Sequence, residues 1–320
     1  MFRKSLMATL SASFLLLSAS TVSAAEFPSK PIKIIVPNGA GGSTDITSRL
    51  VAQAYTKELG TELAIVNMGG GGTSIGAMEA ASAKPDGYTL LSTHEAFLTS
   101  SALGVNTMGP ASVRPIAQVA KEVIVLAVQK GSGMHSLDEF YSAAQKDHPG
   151  DSLNIGISPG AANHFFSLNV LSAIEHDVTF VPTGGGADTL KALLGGTIDA
   201  GTFAVSESIE AIRSGDVVPI ALYNDERHPD LPDTPTAKEL GYDINVGLHY
   251  IWYAPAETPD DVVSILAEAM TRTVSDEAFK NNLIERSITP SLLTGTELEE
   301  ALASRYTQVE ELAIKYVVGQ

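Results

Sequence analysis

Four segments rich in glycine and hydroxyl groups hold the residues of this chain whose types and spacing could bind a ligand. They span 38–45, 67–76, 156–160 and 181–188. Each follows a short apolar run and precedes a helical pattern, so backbone N–H groups and the positive end of a helix dipole point to one place. Such loops meet at the carboxyl ends of parallel strands. The pattern favours an anion pocket built from amides and hydroxyls, and the alternative is that the glycines only turn tight corners.

Nucleotide and metal chemistry find no support in these segments. Thr44 stands where a dinucleotide-binding pattern has its third glycine, and the sequence holds no Gly-Lys-Ser or Gly-Lys-Thr for a phosphate-binding loop. The chain has no Cys, and its seven His are scattered, whereas a metal site needs clustered ligands. We therefore expect no cofactor and no metal.

Ester hydrolysis is the alternative chemistry. The segment 156–160 reads Gly-Ile-Ser-Pro-Gly and matches the G-x-S-x-G turn that presents the nucleophile of α/β serine hydrolases. Ser158 would be that nucleophile. Candidates in the chain order that a triad requires are Asp199 or Asp225, followed by His228 or His249. Pro159 argues against this function, because it lacks the N–H that the residue after the nucleophile gives to the oxyanion hole.

The elements that must position these loops alternate between β-type and helical patterns, which is typical of α/β proteins with parallel sheets. Strands are predicted over 32–36, 63–66, 89–92, 123–128, 153–157, 178–181, 200–203 and 218–222. Helices are predicted over 46–59, 137–145, 164–174, 187–194, 207–213, 260–275, 276–286 and 295–317. No flexible linker separates them, so we expect two domains joined by crossing strands.

The N-terminal pattern and the composition of the chain predict an exported protein. Residues 1–24 have basic residues, an apolar run and a small-residue cleavage site, as in a secretory signal peptide. The lack of Cys excludes disulfides and a lipid anchor on Cys. With 37 acidic against 20 basic residues and a formal net charge of −17, nucleic acid is not an expected partner. The chain is therefore predicted to be exported, soluble and not lipidated.

Six segments carry a family resemblance. They read FPSKPI at 27–32, GGSTD at 41–45, KPDGYTL at 84–90, LLGGTID at 193–199, LPDTPT at 231–236 and APAETP at 254–259. Together they resemble the extracytoplasmic solute receptors of tripartite tricarboxylate transporters, the Bug or TctC type. The resemblance implies a periplasmic protein, expected to be a monomer, that captures a small organic carboxylate, delivers it to membrane permease subunits and has no catalytic residues.

The same resemblance implies the architecture. The fold expected is α/β and that of a two-lobed, type II-like periplasmic binding protein, with two parallel-rich sheets, flanking helices and crossing strands. The first lobe would comprise residues 25–124 and 225–320, and the second lobe residues 125–224. The ligand would lie in the cleft between them.

Position by position, the resemblance assigns ligand contacts to the glycine loops and their neighbours. In the first lobe these residues are Asn38, Ala40, Gly41, Gly42, Ser43, Thr44, Asp45, Gly71, Gly72, Thr73, Thr93 and His94. In the second lobe they are Ser158, Pro159, Gly160, Ala161, Thr183, Gly184, Asp188, Thr202, Phe203 and Ala204. For Asp45 and Asp188, capping of a helix start is the competing interpretation.

Departures from the family pattern leave the ligand open. The usual Pro-Gly of the first loop is Ala40-Gly41, and the serine expected after Gly160 is Ala161. His249, Tyr250 and Trp252 could form an aromatic wall of the cleft or belong to the core. A binding component used for sensing rather than uptake has the same sequence features.

Overall fold

The computed structural model describes residues 27–94, 96–102, 104, 109–145 and 152–314. The predicted signal peptide lies outside these residues. Within them the chain forms ten strands and ten α-helices. The strands are β1 (Ile32–Val36), β2 (Leu63–Asn67), β3 (Thr89–Thr93), β4 (Val113–Gln129), β5 (Asn154–Ile157), β6 (Thr179–Pro182), β7 (Ala200–Ala204), β8 (Val217–Tyr223), β9 (Gly247–Pro255) and β10 (Thr289–Leu293). The helices are α1 (Ser43–Leu59), α2 (Ser74–Ala81), α3 (Ala96–Ala102), α4 (Leu137–Ala144), α5 (Ala162–Leu171), α6 (Gly186–Leu194), α7 (Val205–Arg213), α8 (Asp260–Ser275), α9 (Glu277–Ile284) and α10 (Gly295–Ala313).

The long strand β4 joins two sheets. From Val113 to Val123 it pairs with β9, and from Ile124 onward it pairs with β7 and β8. The strand order is β2-β1-β3-β9-β4-β7-β5-β6, with β10 and β8 also paired to β4. We call the half built on β1–β3, β9 and β10 the first lobe, and the half built on β5–β8 the second lobe.

The sheets are mixed. β1 is parallel to β2 and β3, and β5 is parallel to β6 and β7, whereas β7, β8, β9 and β10 all run antiparallel to β4. The fold is therefore α/β and two-lobed with flanking helices, as expected. The parallel pairs lie on the two flanks, among β1–β3 in the first lobe and among β5–β7 in the second. Between them lies β4, which crosses from one lobe to the other and pairs antiparallel with strands of both.

The unit β1–α1 shows how local sequence positions the first glycine loop. Ile32, Ile34, Ile35 and Val36 are all fully buried, which is typical of a strand covered on both faces. α1 begins after Gly42 and ends at Gly60, whose left-handed φ of 67° lets its N–H bond to a carbonyl one turn back. Strand and helix together hold the loop between them at the carboxyl end of the sheet.

Trp252 belongs to the core rather than to the cleft wall. Its ring packs edge-on against Tyr55 of α1 at 5.6 Å between centroids, and both side chains are fully buried. The Tyr55 hydroxyl donates to the Leu266 carbonyl at 2.7 Å, which ties α8 to α1. None of the helices in the described residues is long and apolar enough to cross a bilayer.

Three stretches of strand escape the sequence pattern: residues 113–122 of β4, and the whole of β9 and β10. The first of these contains Pro115, Lys121 and Glu122, which interrupt the apolar run, although Glu122 is almost fully buried. The predicted helix over 164–174 runs instead from Ala162 to Leu171. Helix α10 ends at Ala313, and residues 315–317 of its predicted range lie outside the described residues.

Candidate ligand-binding cleft

A cavity of about 450 Å³ lies between the two lobes at the ends of β1, β5, β6 and β7. Three helices start at its wall: α1 after Gly42, α5 after Ala161 and α6 after Gly185. None of the three N-cap residues makes a side-chain cap hydrogen bond. First-turn N–H groups have no acceptor inside their own helix, so the cavity receives three positive helix ends.

Half of the predicted contact residues lie in this wall. They are Asn38, Ala40, Gly41, Gly42, Ser43, Thr44, His94, Ala161, Asp188, Thr202 and Ala204. The structure places the others outside it: Asp45, Gly71, Gly72, Thr73, Thr93, Ser158, Pro159, Gly160, Thr183, Gly184 and Phe203. The wall also contains residues beyond the predicted contacts. Gly39, Gly185, Gly186 and Ala187 belong to the predicted glycine segments, whereas Ala162, Asn163, Phe166, Lys191, Glu207 and Leu248 lie outside them.

The Asp45 carboxylate shapes the first loop. Its Oδ2 accepts a hydrogen bond from the Gly41 N–H at 2.9 Å, and its Oδ1 lies 2.9 Å from both Arg49 Nη2 and Asn67 Nδ2. Burial raises the pKa of Asp45, but the bonds to Arg49, Gly41 and Asn67 outweigh burial and hold the pKa below its ordinary value. Asp45 is therefore an ionised brace behind the loop, and the capping interpretation describes it better than ligand contact.

The second and third glycine loops touch each other across the cleft. A Cβ built on Gly72 would come within 3.3 Å of the Gly160 and Pro159 backbones, and the φ of Gly72 is +58°. The absence of a side chain at Gly72 therefore lets the first lobe meet the second at this point. Gly72, Pro159 and Gly160 bring the lobes together instead of lining the cavity.

Hydroxyl and amide groups of the second lobe bond mainly to one another. The Asn163 Oδ1 accepts from the Ser158 N–H at 3.0 Å, and its Nδ2 donates to Gly184 O at 3.3 Å. Thr183 Oγ1 lies 2.7 Å from Thr189 Oγ1. These bonds hold the loops before α5 and α6 in place, and neither Ser158 nor Thr183 lines the cavity.

The alternation of strand β7 decides which of its residues reach the cleft. Thr202 and Ala204 lie in the wall, whereas Phe203 packs in a separate core cluster on the other face. Neighbouring side chains of a strand point to opposite faces. Phe203, which the sequence predicted as a ligand contact, therefore lies on the opposite face of the strand from the cavity.

Glu207, at the third position of α7, is a charged side chain of the cavity wall that the sequence pattern missed. Its Oε1 accepts a hydrogen bond from the Ser43 N–H at 3.2 Å, which links α7 of the second lobe to the start of α1 in the first. Burial raises the pKa of Glu207, although bonds from Ser43 and from the Ala204 N–H oppose the shift. No local motif marks this residue, since only the fold brings α7 to α1.

A second buried carboxyl lies behind the cleft. Glu122 of β4 is almost fully buried, and Tyr250 of β9 donates a hydrogen bond to its Oε1. Burial raises the pKa of Glu122 to about 7, against hydrogen bonds from Ser206 and Tyr250, and the charge of Glu207 raises it further. The edge of the Tyr250 ring faces His94 at 6.2 Å between centroids. Tyr250 therefore links the buried Glu122 to His94 of the cavity wall.

The hydrolase triad is not assembled around Ser158. Asp199 accepts from the Asn154 N–H at 2.8 Å, at the start of β5, while Ser158 follows the end of that strand. At about 3.3 Å per residue the two sites are about 13 Å apart. Asp199 is therefore too far away to orient a histidine beside Ser158.

The other triad candidates have different partners. Asp225 lies 2.6 Å from Lys238 Nζ, and His228 Nδ1 accepts from the Asp230 N–H at 3.1 Å. His249 lies on β9 opposite β4. Groups of three or more His, Cys, Asp or Glu that could hold a metal ion do not occur among the described residues. What the geometry offers is binding of an anion by amides and helix ends.

Two lobes joined by a crossing strand, with a cleft at converging helix starts, define the class of periplasmic binding proteins. The periplasmic binding protein BugD has 28% identity to this chain with a TM-score of 0.79, covering 91% of this chain and 97% of BugD. MatC from Rhodopseudomonas palustris, whose structure holds malate, has 26% identity and a TM-score of 0.81, covering 90% and 100%.

Within that class, the chain belongs to the tripartite tricarboxylate transporter receptor family, TctC, whose model matches residues 47–312. The protein BugT of Bordetella pertussis is 29% identical over 287 residues, covering 86% of each chain. A protein encoded in the ttuE–ttuC′ intergenic region of Agrobacterium vitis is 30% identical over 258 residues, covering 78% of this chain and 73% of the relative. The family resemblance seen in the sequence is thereby confirmed.

Proposed function

We propose that this protein captures a small organic carboxylate in the periplasm and delivers it to the permease subunits of a tripartite tricarboxylate transporter. The observation that carries the proposal is the convergence of three helix starts, α1, α5 and α6, on one cavity of about 450 Å³. None of the three is capped by the side chain of its own N-cap residue, although the Glu207 carboxylate accepts the Ser43 N–H at the start of α1. Each helix end contributes about 0.3–1 kcal/mol to holding an anion. Hydrogen bonds from amides to a carboxylate add about 1.5–3 kcal/mol each, enough for micromolar affinity after ordering costs.

Closure of the lobes is the second part of the proposal. Gly72 meets Gly160, and Ser43 donates to Glu207, so contacts from both lobes meet on either side of the cavity. β4 changes partners between Val123 and Ile124. This change of partners supports a lobe boundary at residues 124 and 125 and a return to the first lobe near residue 225.

The remaining parts follow from the family. Its members are receptors of transport systems, and the related MatC structure holds a carboxylate, malate. We accordingly propose export by cleavage of residues 1–24, a monomer in the periplasm, and transfer of the ligand to the permease without chemical change. Sensing is the alternative use of the same binding event, and neighbouring genes for a permease pair or for a sensor kinase would distinguish the two.

Thermal denaturation with a panel of acids tests the ligand class. Each mono- or dicarboxylate is paired with its neutral amide, which has a similar shape and no charge. An acid at 100 times its Kd stabilises the protein by about 2.7 kcal/mol, which for a chain of this length corresponds to a rise in Tm of about 5 °C or more. Stabilisation by amides, sugars or amines but by no acid would contradict the proposal.

The hydrolase alternative has its own test. A fluorophosphonate probe that labels activated serines should leave Ser158 unmodified, because Asp199 bonds to Asn154 at the other end of β5 and His228 accepts from the Asp230 N–H. Replacement of Ser158 by Ala serves as the control, since any labelling that survives the replacement comes from another serine. Labelling that depends on Ser158 would support an enzyme instead of a receptor.

A further inference from the structure

The chain places one of its own carboxylates where two of the helix starts could hold an anion. Glu207 Oε1 accepts the Ser43 N–H at the first position of α1. A Cβ on Gly186, the first residue of α6, would overlap Glu207 Oε2. The Glu207 carboxylate therefore lies between the starts of α1 and α6, in the wall of the cleft.

Among the described residues, no basic side chain forms a salt bridge with this carboxylate. The described part of the wall contains two basic side chains, His94 and Lys191. Lys191 Nζ pairs with Asp188 Oδ1 at 3.0 Å at an exposed position. The charged neighbour of Glu207 behind the cleft is another acid, Glu122. Glu207 is thus a partly buried carboxylate held by hydrogen-bond donors.

This arrangement favours a particular kind of ligand. A second carboxylate at the starts of α1 and α6 would meet the like charge of Glu207, whereas a cationic group would relieve the unfavourable burial that raises its pKa. The start of α5 stays open for an anion, because Ala161, Ala162 and Asn163 line the cavity there and no side chain caps the helix. Glu207 and the start of α5 therefore offer a negative and a positive partner within one cavity.

We propose that Glu207 determines specificity, and that the preferred ligand is an acid that also carries an ammonium group. The ammonium pairs with Glu207, and the ligand carboxylate binds at the start of α5. This assignment rests on the proposed function as a carboxylate receptor and narrows its substrate class to amino acids or related zwitterions.

Isothermal titration calorimetry with matched acids tests the assignment. The pairs differ only in one amino group: propanoate with 2-aminopropanoate, butanedioate with 2-aminobutanedioate, and pentanedioate with 2-aminopentanedioate. The titrations are made at about pH 8, well above the ordinary pKa of a carboxyl, where the amino groups are protonated. For at least one pair, the amino acid should bind the wild-type protein about tenfold or more tightly than its parent acid.

Variants attribute the preference to one residue. Glu207→Gln keeps the size and an acceptor for the Ser43 N–H but removes the charge, so the ratio within that pair should fall towards one. Glu207→Asp keeps the charge and should retain part of the preference. Glu300→Gln, at an exposed position of α10, makes the same change in net charge and should leave the wild-type ratio unchanged.

The outcomes separate this assignment from the proposed function. If parent acids bind the wild-type protein as tightly as the amino acids or more tightly, the receptor function stands and the role of Glu207 is refuted, without need of any variant. A preference that survives in a folded Glu207→Gln protein also refutes it. If neither acids nor amino acids bind, both the function and the assignment fail.

Discussion

Replacement of Glu122 by Gln should change how stability depends on pH. Glu122 lies on β4 at the crossing between the lobes, is 2% exposed, and accepts a hydrogen bond from Tyr250. Burial raises its pKa from the ordinary 4.5 to about 7. The folded protein therefore holds a proton on this carboxyl at pH values where the unfolded chain has released it.

The sign and size of the effect follow from this difference. Below pH 4.5 the carboxyl is protonated in both states and has no influence on the pH dependence. Between pH 4.5 and about 7 only the unfolded state ionises, so the free energy of unfolding falls as the pH rises. Each pH unit lowers the free energy of unfolding by about 1.4 kcal/mol, and the whole interval lowers it by about 3 kcal/mol. Above pH 7 the loss is complete.

Urea denaturation at a series of pH values measures the effect. The single tryptophan, Trp252, is buried on the same strand as Tyr250 and reports unfolding by its fluorescence. Gln at position 122 keeps an acceptor for the Tyr250 hydroxyl and cannot ionise. The Gln variant should match the wild-type protein near pH 4 and be more stable by up to about 3 kcal/mol at pH 8.

The comparison of the two proteins isolates Glu122 from other groups. Burial lowers the pKa of His164 and His228, which makes stability rise with pH in the same region, but both contributions cancel in the difference between variant and wild type. Exposed Glu300→Gln should give a difference that is flat with pH. Parallel curves for Glu122→Gln and the wild-type protein would refute the reasoning, because they would mean that Glu122 ionises alike in both states.

Three further substitutions test the cleft and the core. Gly42→Val should abolish calorimetric binding of the acid that raises the Tm of the wild-type protein, because the valine side chain would enter the cavity. The Tm of the free protein should change little, since a Cβ on Gly42 meets only Gly39 O at 3.8 Å. Unchanged affinity would show that the first loop only turns a corner. Gly72→Val should raise the Kd of the same acid at least tenfold, since a Cβ on Gly72 comes within 3.3 Å of the Gly160 backbone and would hold the lobes apart. Small-angle scattering should then show no ligand-induced compaction. Compaction as in the wild-type protein would contradict the contact. Trp252→Ala removes a fully buried side chain and should cost about 3–5 kcal/mol in urea denaturation, and a loss below about 1 kcal/mol would argue against its place in the core.

Local signals were sufficient for much of the fold. The predicted strand over 32–36 and the predicted helix over 260–275 match the structure residue by residue. A short β-branched run that ends at Pro37 marks the strand, and apolar residues at helical spacing after Pro259 mark the helix. β9 was missed, since its nine residues mix His249 with aromatic residues and gain their strand character from neighbours on both sides. The strand part at 113–122 was missed because a buried acid broke its pattern.

The candidate site likewise has a part that the sequence could locate and a part that it could not. Main-chain anion sites at the starts of helices follow from glycine loops, so the segment 38–44 could be located from the sequence. Which side chains turn inward could not, since Asp45 bonds back to its own loop and Phe203 faces the opposite side of its strand. Glu207 enters the site from an ordinary helix, and nothing in its neighbourhood in the sequence indicates a role.

The sequence by itself determined the strand-loop-helix units, the α/β class and the family, because each depends on residues that are close in the chain. The glycine loop 38–42 could therefore be proposed as an anion-binding element from its local pattern alone. Only the tertiary structure decided that three helix starts share one cavity, that Gly72 meets Gly160, and that Glu207 lies beside Ser43. Those contacts join residues that are far apart in the chain, and their geometry depends on how β4 crosses from one lobe to the other.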